Sequence, residues 1–454
     1  MSTKKKVAIL YSECISDSAL GGTKTLFDLA KLLSNKYDVK LFSLGKTHKK
    51  ITKDNIIEEV FSSKTTTDSR NKKTRIVDYT YLVLAKKQSS YNIMNNNIDL
   101  IKTVISYKPD IIITLGRVLV DSVIEIKEAI PNSIIFSITD DFRVVENAIK
   151  IRKERFIKNN NGISLKLKLP LFNLTTKRYL EFSKKIYEKM LFNFDGIAFV
   201  TKIDMVISEK RYPNHKSKFF VLPTASFSKE LILTKPKYPI NEKIKNIVFI
   251  GNCKHEPNLE AMSLIEIKIA PFLKDKNFII IGSNCEKRTK DNVTYTGFIS
   301  DSEKDELLNK ADLCIAPLKN GSGIKVKILE YFAKCKVVIG SSIAFEGYNI
   351  KNRENAILED NIDNYAKLIL ELEKNKQLRE KLASNSNSVC AYFTYEETEK
   401  RWIKAINILE KEHKTKLSLM KNSNLQIIKQ IYIKIEAVRL PSYVYALSRN
   451  ILLR

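Results

Sequence analysis

Hydrophobic residues in this 454-residue chain form short continuous runs, separated by longer stretches with helical spacing. In the first half these runs are KVAILYS, DVKLFSL, DIIITLG, SIIFSIT, GIAFVT and KFFVLP. In the second half they are NIVFIGN, NFIIIGS, VTYTGF, DLCIAP and KVVIGS. Val- and Ile-rich runs bounded by turn formers are typical of buried parallel strands. The pattern therefore predicts an α/β fold, with parallel sheets covered by helices on both faces.

The strand-like runs fall into two series, separated by the Pro- and Lys-rich segment LTKPKYPINEK at residues 233–243. A chain of this length is also too long for one ordinary core. We therefore predict two Rossmann-like domains, residues 1–238 and 239–400, followed by a terminal helix and a basic amphipathic tail over residues 401–454. Ligands of open parallel sheets bind at the carboxyl ends of the strands, which for two facing domains means a cleft between them.

Composition places the chain among globular proteins, with 44% hydrophobic and 28% charged residues. The basic start is followed by only five apolar residues, which predicts a first strand and not a signal peptide. No run of eighteen apolar residues is present, so no membrane-spanning helix is predicted. We expect a cytoplasmic protein, peripheral at the inner face of the cell membrane.

Cysteine and histidine spacing gives no sign of a metal site. None of the six cysteines forms a C-x-x-C pair, which predicts small buried side chains in a reducing cytoplasm. The four histidines show no ligand spacing either, so we expect neither a structural metal nor a cofactor.

Charge is distributed unevenly along the chain, which has a net charge of +27. Residues 1–250 contain 45 basic and 25 acidic residues, whereas residues 251–400 contain 22 and 23. Residues 401–454 contain 11 and 3. The first half and the tail are therefore predicted to contact an anionic partner, such as a membrane surface, a polyanionic polymer or nucleic acid.

The stretch NGSGIKVKILE is the main candidate for a binding site, because it follows the predicted strand DLCIAP and opens a predicted helix from Ile324. Unpaired backbone N–H groups at a helix start favour an anion. Gly321 and Gly323 would let a phosphate approach the backbone, and Lys325 adds a positive charge. The alternative is a plain tight loop with a surface ion pair between Glu330 and Lys334.

These motifs resemble a known family. The run GFISDSEKDELLNKADLCIAPLKNGSGIKVKILEYFAKCKVVIGSSIAFEG is similar to the donor-site block of family 4 glycosyltransferases, which have the GT-B fold. IVFIGNCKHEPNLEAMSLIEIKIAPFL resembles the opening of their second domain, and ALGGTKTLFDLAKLLSN their first Gly-rich loop and helix. The resemblance implies a retaining, metal-independent transfer of a sugar from a nucleotide diphosphate donor.

The resemblance also implies roles for individual residues. Glu330 would bind the ribose hydroxyls of the donor, since a carboxylate accepts two hydrogen bonds. The diphosphate would be held by Gly321, Ser322, Gly323 and Lys325, and Gly21 and Gly22 would approach it from the first domain. Gly251 and Asn252 would also line the donor site. The backbone of Phe298 and Ile299 would contact the base.

Two positions depart from the family pattern. Ser322 stands where many members have a first glutamate. Where they have a histidine, this chain has Asp140 and Asp141, directly after the predicted strand SIIFSIT. Either carboxylate could orient the acceptor hydroxyl or act as a base, and the alternative is a helix cap.

A basic segment with apolar residues follows these aspartates. Residues 150–189 contain twelve basic and three acidic residues, and the tail mixes apolar and basic residues in a similar way. Both could contact phospholipid or an anionic acceptor, and the alternatives are a solvated helical hairpin and a helix packed on the first domain. Trp402 is predicted to be a core residue of the terminal helix.

We therefore expect a glycosyltransferase acting on a polysaccharide or glycolipid acceptor. One alternative is another enzyme of the same fold, such as a nucleotide-sugar epimerase or a phosphorylase. A basic nucleic-acid-binding protein is the other, but the chain has no recognition helix or zinc spacing, and its charge avoids the main motif block.

Overall fold

The computed structural model describes residues 4–16, 21–62, 97–117, 119–139, 142–158, 160, 162–223, 230, 232, 235–237, 239–321 and 323–422. The chain divides into two compact units, Met1–Trp402 and Ile403–Arg454, and both β-sheets lie in the first unit. The predicted domain limits at residues 238 and 400 stay predictions.

The first sheet has eight strands in the order β3-β4-β2-β1-β5-β6-β7-β8. Its strands are β1 (Lys6–Tyr11), β2 (Asp38–Gly45), β3 (Lys49–Lys53), β4 (Ile56–Ser62), β5 (Ile111–Leu115), β6 (Ile134–Thr139), β7 (Gly196–Phe199) and β8 (Phe219–Val221). All neighbours pair in parallel except β3 and β4. The central strands are buried along their length, as expected for a parallel sheet covered on both faces.

The second sheet has seven strands in the order β11-β12-β10-β9-β13-β14-β15. Its strands are β9 (Asn246–Ile250), β10 (Asn277–Ile281), β11 (Arg288–Lys290), β12 (Val293–Tyr295), β13 (Leu313–Ala316), β14 (Val338–Gly340) and β15 (Ile357–Leu358). Only the β11–β12 pair at one edge is antiparallel. The carboxyl ends of β9, β10, β12, β13 and β14 therefore share one edge of the sheet.

Twelve α-helices lie in the described part of the chain. They are α1 (Gly21–Ser34), α2 (Ile98–Tyr107), α3 (Val120–Ala129), α4 (Arg143–Lys158), α5 (Gly162–Asn193), α6 (Lys202–Arg211), α7 (Glu256–Leu264), α8 (Asp301–Lys310), α9 (Val326–Ala333), α10 (Tyr365–Lys374), α11 (Lys376–Ser386) and α12 (Tyr395–Asn422). The predicted amphipathic tail lies outside the described residues from position 423 onward.

Every strand predicted from the apolar runs is present, and the prediction of two parallel, helix-covered sheets is confirmed. The pattern missed four strands: the edge strands β3, β11 and β15, and β4, which lies beside β3. The strands β3 and β4 form a hairpin whose turn residues, Asp54 and Asn55, have left-handed φ angles of 51° and 63°. Asp and Asn favour such turns, so the residue pair was an available signal for this hairpin.

Helix α9 is anchored by its apolar side. Ile328, Leu329 and Phe332 are fully buried, and Ile324 packs partly buried against the same core. Full burial of each such side chain contributes roughly 1.5–3 kcal/mol. The buried Tyr331 hydroxyl accepts a hydrogen bond of 2.8 Å from the backbone N–H of Ile250, which ties α9 to the end of β9.

Three of the six cysteines differ from the prediction, and one of them is Cys14, which is only half-buried. Cys253 and Cys285 form a disulfide that joins the loop after β9 to the loop after β10. The expectation that all six are unpaired buried thiols is therefore wrong for these two, because parallel strand ends bring together loops that are 32 residues apart in sequence. Cys314, Cys335 and Cys390 are buried, as predicted.

Among the described residues, no helix is both long and apolar enough to cross a bilayer.

Candidate functional site

The residues predicted to bind a donor in the second domain follow the carboxyl ends of three parallel strands. Gly251 and Asn252 come directly after β9, Phe298 and Ile299 follow β12, and the glycine loop follows β13. Because β9, β12 and β13 run in the same direction, these segments lie at one edge of the sheet. This is the edge at which open α/β sheets bind their ligands.

The glycine loop has the backbone that its sequence demands. Gly321 and Gly323 have φ angles of +138° and +65°, which side-chain-bearing residues rarely adopt. Helix α9 begins at Val326, two residues later than predicted, with Lys325 as its N-cap residue. Ser322 lies outside the described residues.

Lys325 is held between two acceptors in a nearly buried position. Its side chain is 8% exposed, and its Nζ donates to the carbonyl oxygen of Gly323 at 2.8 Å and to Glu346 Oε2 at 3.1 Å. A buried ammonium group needs such partners to offset its desolvation. The cation is therefore fixed beside the glycine loop.

Glu330 does not pair with Lys334, so the surface ion pair of the alternative interpretation is wrong. Glu330 Oε1 accepts from Lys304 Nζ on α8 at 3.4 Å, and Lys334 Nζ pairs with Asp305 on the same helix at 3.0 Å. Burial works to lower the pKa of Lys304, but the Glu330 and Asp301 carboxylates outweigh it and the pKa is raised. Lys304 is therefore a cation, and its contact with Glu330 is made through Oε1 and not Oε2.

Gly251 and Asn252 form a compact turn after β9. A Cβ atom on Gly251 would lie 2.8 Å from the Phe249 ring and 2.9 Å from the Asn258 side chain, so only glycine fits. Asn252 Oδ1 accepts from the Lys254 backbone N–H at 2.8 Å, and its carbonyl accepts from Asn258 Nδ2 at 3.2 Å. The turn is thereby fixed to the start of α7.

Lys327 connects this turn to the glycine loop. Its Nζ donates to Asn258 Oδ1 at 2.6 Å and lies 4.2 Å from the centroid of the Phe249 ring. Burial lowers the pKa of Lys327 to about 7, with nearby Glu330 opposing the shift and Lys325 adding to it. Lys325 and Lys327 therefore lie on one short stretch at this edge of the sheet, and the charge of Lys327 depends on pH near neutrality.

Phe298 and Ile299 differ in exposure. Phe298 is 76% exposed, whereas Ile299 packs partly buried against the core of the second sheet. A largely exposed aromatic ring beside a ligand edge can stack on a planar base. Ser300 then begins a capping box, in which its backbone N–H donates to Glu303 Oε2 at 2.8 Å and the Glu303 backbone N–H donates to its hydroxyl at 3.2 Å.

In the first domain, Gly21 and Gly22 are the first two residues of α1. The segment that leads toward them is fixed by the buried Glu58 of β4, whose carboxylate accepts from the backbone N–H groups of Ile15 and Ser16 at 2.6 and 2.7 Å. Asp140 and Asp141 lie outside the described residues, directly after the end of β6.

Several polar residues near the site were missed from the sequence. Glu346 and Lys327 lie inside the segment that resembles the donor-site block. Asn258 lies in the segment that resembles the opening of the second domain, so a motif pointed to each of the three residues. No sequence motif pointed to Arg143 of α4, because its contact with Glu346 at 3.2 Å joins residues that are 203 positions apart.

Comparisons agree with this geometry. Residues 244–375 match the model of the family Glycosyl transferases group 1. This segment is a group 1 glycosyltransferase domain. It contains the second sheet with the turn after β9, the glycine loop, Lys325 and Glu330. No curated protein matches the chain by sequence.

The fold around the glycosyltransferase domain is GT-B, as the resemblance implied. Sucrose-phosphate synthase from Thermosynechococcus elongatus superposes with a TM-score of 0.63 at 13% identity, over 89% of this chain and 99% of that one. TarM gives 0.59 at 13% identity, over 89% and 99%. Anabaena HepE in complex with UDP-glucose gives 0.58 at 11% identity, over 88% and 99%.

Proposed function

We propose that the protein is a retaining glycosyltransferase that moves a hexosyl group from a nucleotide diphosphate donor to a polysaccharide or glycolipid acceptor, without a metal. The observation that carries the proposal is the convergence of the glycine loop, Lys325 and Glu330 on the carboxyl edge of the second sheet, within the group 1 glycosyltransferase domain. The complex of HepE with UDP-glucose supports this class of donor.

Each part of a nucleotide diphosphate has a matching group at this edge. Glu330 offers a carboxylate to the ribose hydroxyls, and Lys325 with the glycine loop offers a cation and backbone N–H groups to the diphosphate. Phe298 offers an exposed ring to the base. Charge that develops on the departing diphosphate would be stabilised by these fixed groups, which is the main catalytic contribution we propose.

The acceptor side of the proposal rests on the sequence. Asp140 and Asp141 follow β6 in sequence, and one of them would orient the acceptor hydroxyl. We expect Asp140→Asn or Asp141→Asn to lower turnover at least about a hundredfold, the low end of the general-base range. Donor binding should stay unchanged. Turnover at the wild-type level in both variants would contradict this role.

The central experiment is a thermal-shift panel of nucleotide diphosphates and their sugars, because a ligand that binds only the folded state stabilises it. We expect one of them to raise the melting temperature, and Glu330→Ala to remove most of that shift. Glu371→Ala is the matched control, since Glu371 forms an exposed ion pair with Arg353 elsewhere in the same domain. An undiminished shift in Glu330→Ala would contradict the ribose contact.

The product of the reaction separates this proposal from its alternatives. With the donor found in the panel, we expect a new glycosidic bond whose anomeric configuration is that of the donor, and activity that persists in EDTA. Conversion of the donor sugar without a new bond would indicate an epimerase instead. An inverted product would contradict the retaining mechanism.

We also propose that the enzyme contacts the membrane peripherally, through residues 150–189 and the tail over 411–454. In the described part, α4 and α5 carry exposed apolar side chains between basic ones: Ile157, Ile163, Leu171 and Leu174 are 42%, 78%, 60% and 41% exposed. Exposed Lys153, Lys166 and Lys168 lie among them. Aliphatic side chains gain free energy in a bilayer interface and gain none from a hydrated polyanion, which favours anionic lipid.

Flotation with vesicles tests the membrane contact. We expect the protein to float with phosphatidylcholine–phosphatidylglycerol vesicles but not with phosphatidylcholine alone, and Ile163→Asp to weaken this binding. Ile267→Asp, at a 64% exposed position of the second domain, is the control and should bind as the wild type does. Equal binding by both variants would exclude these helices as the contact.

A further inference from the structure

A closed ring of side chains connects the glycine loop to the first domain. Glu346 accepts two hydrogen bonds: its Oε2 accepts from Lys325, and its Oε1 accepts from Arg143 Nη2 at 3.2 Å. The same Arg143 nitrogen donates to Asp204 Oδ1 of α6 at 3.0 Å. Asp204 Oδ2 in turn accepts from the Thr201 hydroxyl at 2.6 Å. The ring therefore joins Lys325 to two helices, α4 and α6, of the first domain.

The ring is closed by a backbone contact. Gly347, next to Glu346, has a φ of +89°, and a Cβ atom on it would lie 2.8 Å from Thr201 Cγ2. A side chain at this position would separate the two surfaces. Glycine therefore allows the segment Glu346–Gly347 to lie directly against the N-cap of α6.

Most of the ring is buried, although the Arg143 side chain itself is 31% exposed. Asp204 is fully buried, the Glu346 side chain is 7% exposed, and that of Lys325 is 8% exposed. In such surroundings each carboxylate needs a cation, and removing one partner leaves the other charge without compensation. Arg143 satisfies one oxygen on each of two carboxylates, so the position of Glu346 depends on a residue of the first domain.

We propose that Arg143 and Glu346 are positioning residues for the donor diphosphate: Arg143 orients Glu346, and Glu346 holds the Lys325 ammonium beside the glycine loop. This inference rests on the proposed function, because the ligand of Lys325 is the diphosphate of the nucleotide donor. It adds a dependence of donor binding on the first domain, which the match over residues 244–375 does not include.

Dissociation constants for UDP, or for whichever nucleotide diphosphate the wild type binds, test the proposal. We expect Arg143→Gln and Glu346→Gln each to weaken binding about tenfold, within the usual range of coupling between sites. The KM of the acceptor should stay unchanged. Arg143→Lys keeps one of the two contacts and should fall between Arg143→Gln and the wild type.

The decisive measurement is nucleotide binding by variants that combine these substitutions with Lys325→Met. If Arg143 and Glu346 act through Lys325, their substitutions should add nothing further to the loss of binding there. Arg353→Gln, which breaks the exposed pair with Glu371, is the matched control and should bind as the wild type does. Additive losses in the Lys325→Met background, or a lower melting temperature with unchanged nucleotide binding, would overturn the proposal. A wild type that binds no nucleotide diphosphate would instead overturn the proposed function.

Discussion

At the scale of single residues, Lys327 has surroundings that act in opposite directions on its charge. Asn258 Oδ1 and the Phe249 ring both favour its charged form, whereas burial disfavours that form and lowers the pKa to about 7. Near neutral pH the side chain is therefore poised between its two states. An anion bound at this edge of the sheet would favour protonation, so donor binding should be accompanied by proton uptake by Lys327.

The lowered pKa of Lys327 makes stability depend on pH. Between about pH 7 and 10.5 the unfolded chain holds this proton and the folded chain does not, so stability rises with pH in that range. The rise attributable to Lys327 is at most about 1.4 kcal/mol per pH unit. We expect Lys327→Met to remove it, measured as the wild-type-minus-variant difference in unfolding free energy from pH 7 to pH 9.5. A difference that stays constant would contradict the lowered pKa.

At the scale of elements, α8 holds the short helix α9 in position. Lys304 and Asp305 of α8 pair with Glu330 of α9 and with Lys334, the C-cap residue of α9. Helix α8 itself starts at a capping box, in which Ser300 and Glu303 satisfy each other's backbone N–H groups. The position of Glu330 at the candidate donor site therefore depends on the cap of α8. This cap precedes the glycine loop in sequence, but it belongs to the helix that contacts α9.

Loss of this cap should loosen the start of α8. Replacement of an N-cap serine by alanine costs about 1 kcal/mol, which corresponds to a roughly fivefold larger population of the open first turn. We expect Ser300→Ala to accelerate hydrogen exchange of the first α8 amides by that factor. Ser302→Ala, an exposed position inside the same helix, should leave exchange unchanged. Equal exchange in both variants would show that the cap does not limit opening.

At the scale of the whole molecule, the chain returns to its first sheet after completing the second. Trp402 of α12 is fully buried and meets Phe136 of β6 edge-on, with ring centroids 5.6 Å apart. The prediction that this tryptophan belongs to the core is confirmed. The first sheet therefore depends on a residue that follows the whole glycosyltransferase domain in sequence.

Truncation of this side chain should be costly. Trp402→Ala is expected to lower the free energy of unfolding by about 3–5 kcal/mol, the range for large buried aromatic residues. Urea unfolding followed by circular dichroism measures the loss, since Trp402 is the single tryptophan. Phe298→Ala, with a 76% exposed ring, should leave stability unchanged. Similar losses in the two variants would contradict a core role specific to Trp402.

The sequence by itself determined the elements and most of the candidate site. Continuous Val and Ile runs specify buried strands locally, and the glycines at 321 and 323 specify a loop with left-handed φ angles before a helix. Ser300 with Glu303 likewise specified a helix start. These features depend on neighbours in sequence, so no knowledge of the fold was needed to predict them.

Only the tertiary structure decided which distant residues meet. The Cys253–Cys285 disulfide arises because parallel strands bring successive loops to one edge. Edge strands such as β15 are too short to carry a pattern of their own. Arg143 lies in a basic helix like many other cations of the chain, and nothing local distinguishes it. Its pairing with Glu346 depends on how two separately formed sheets approach each other, which the order of apolar and polar residues does not encode.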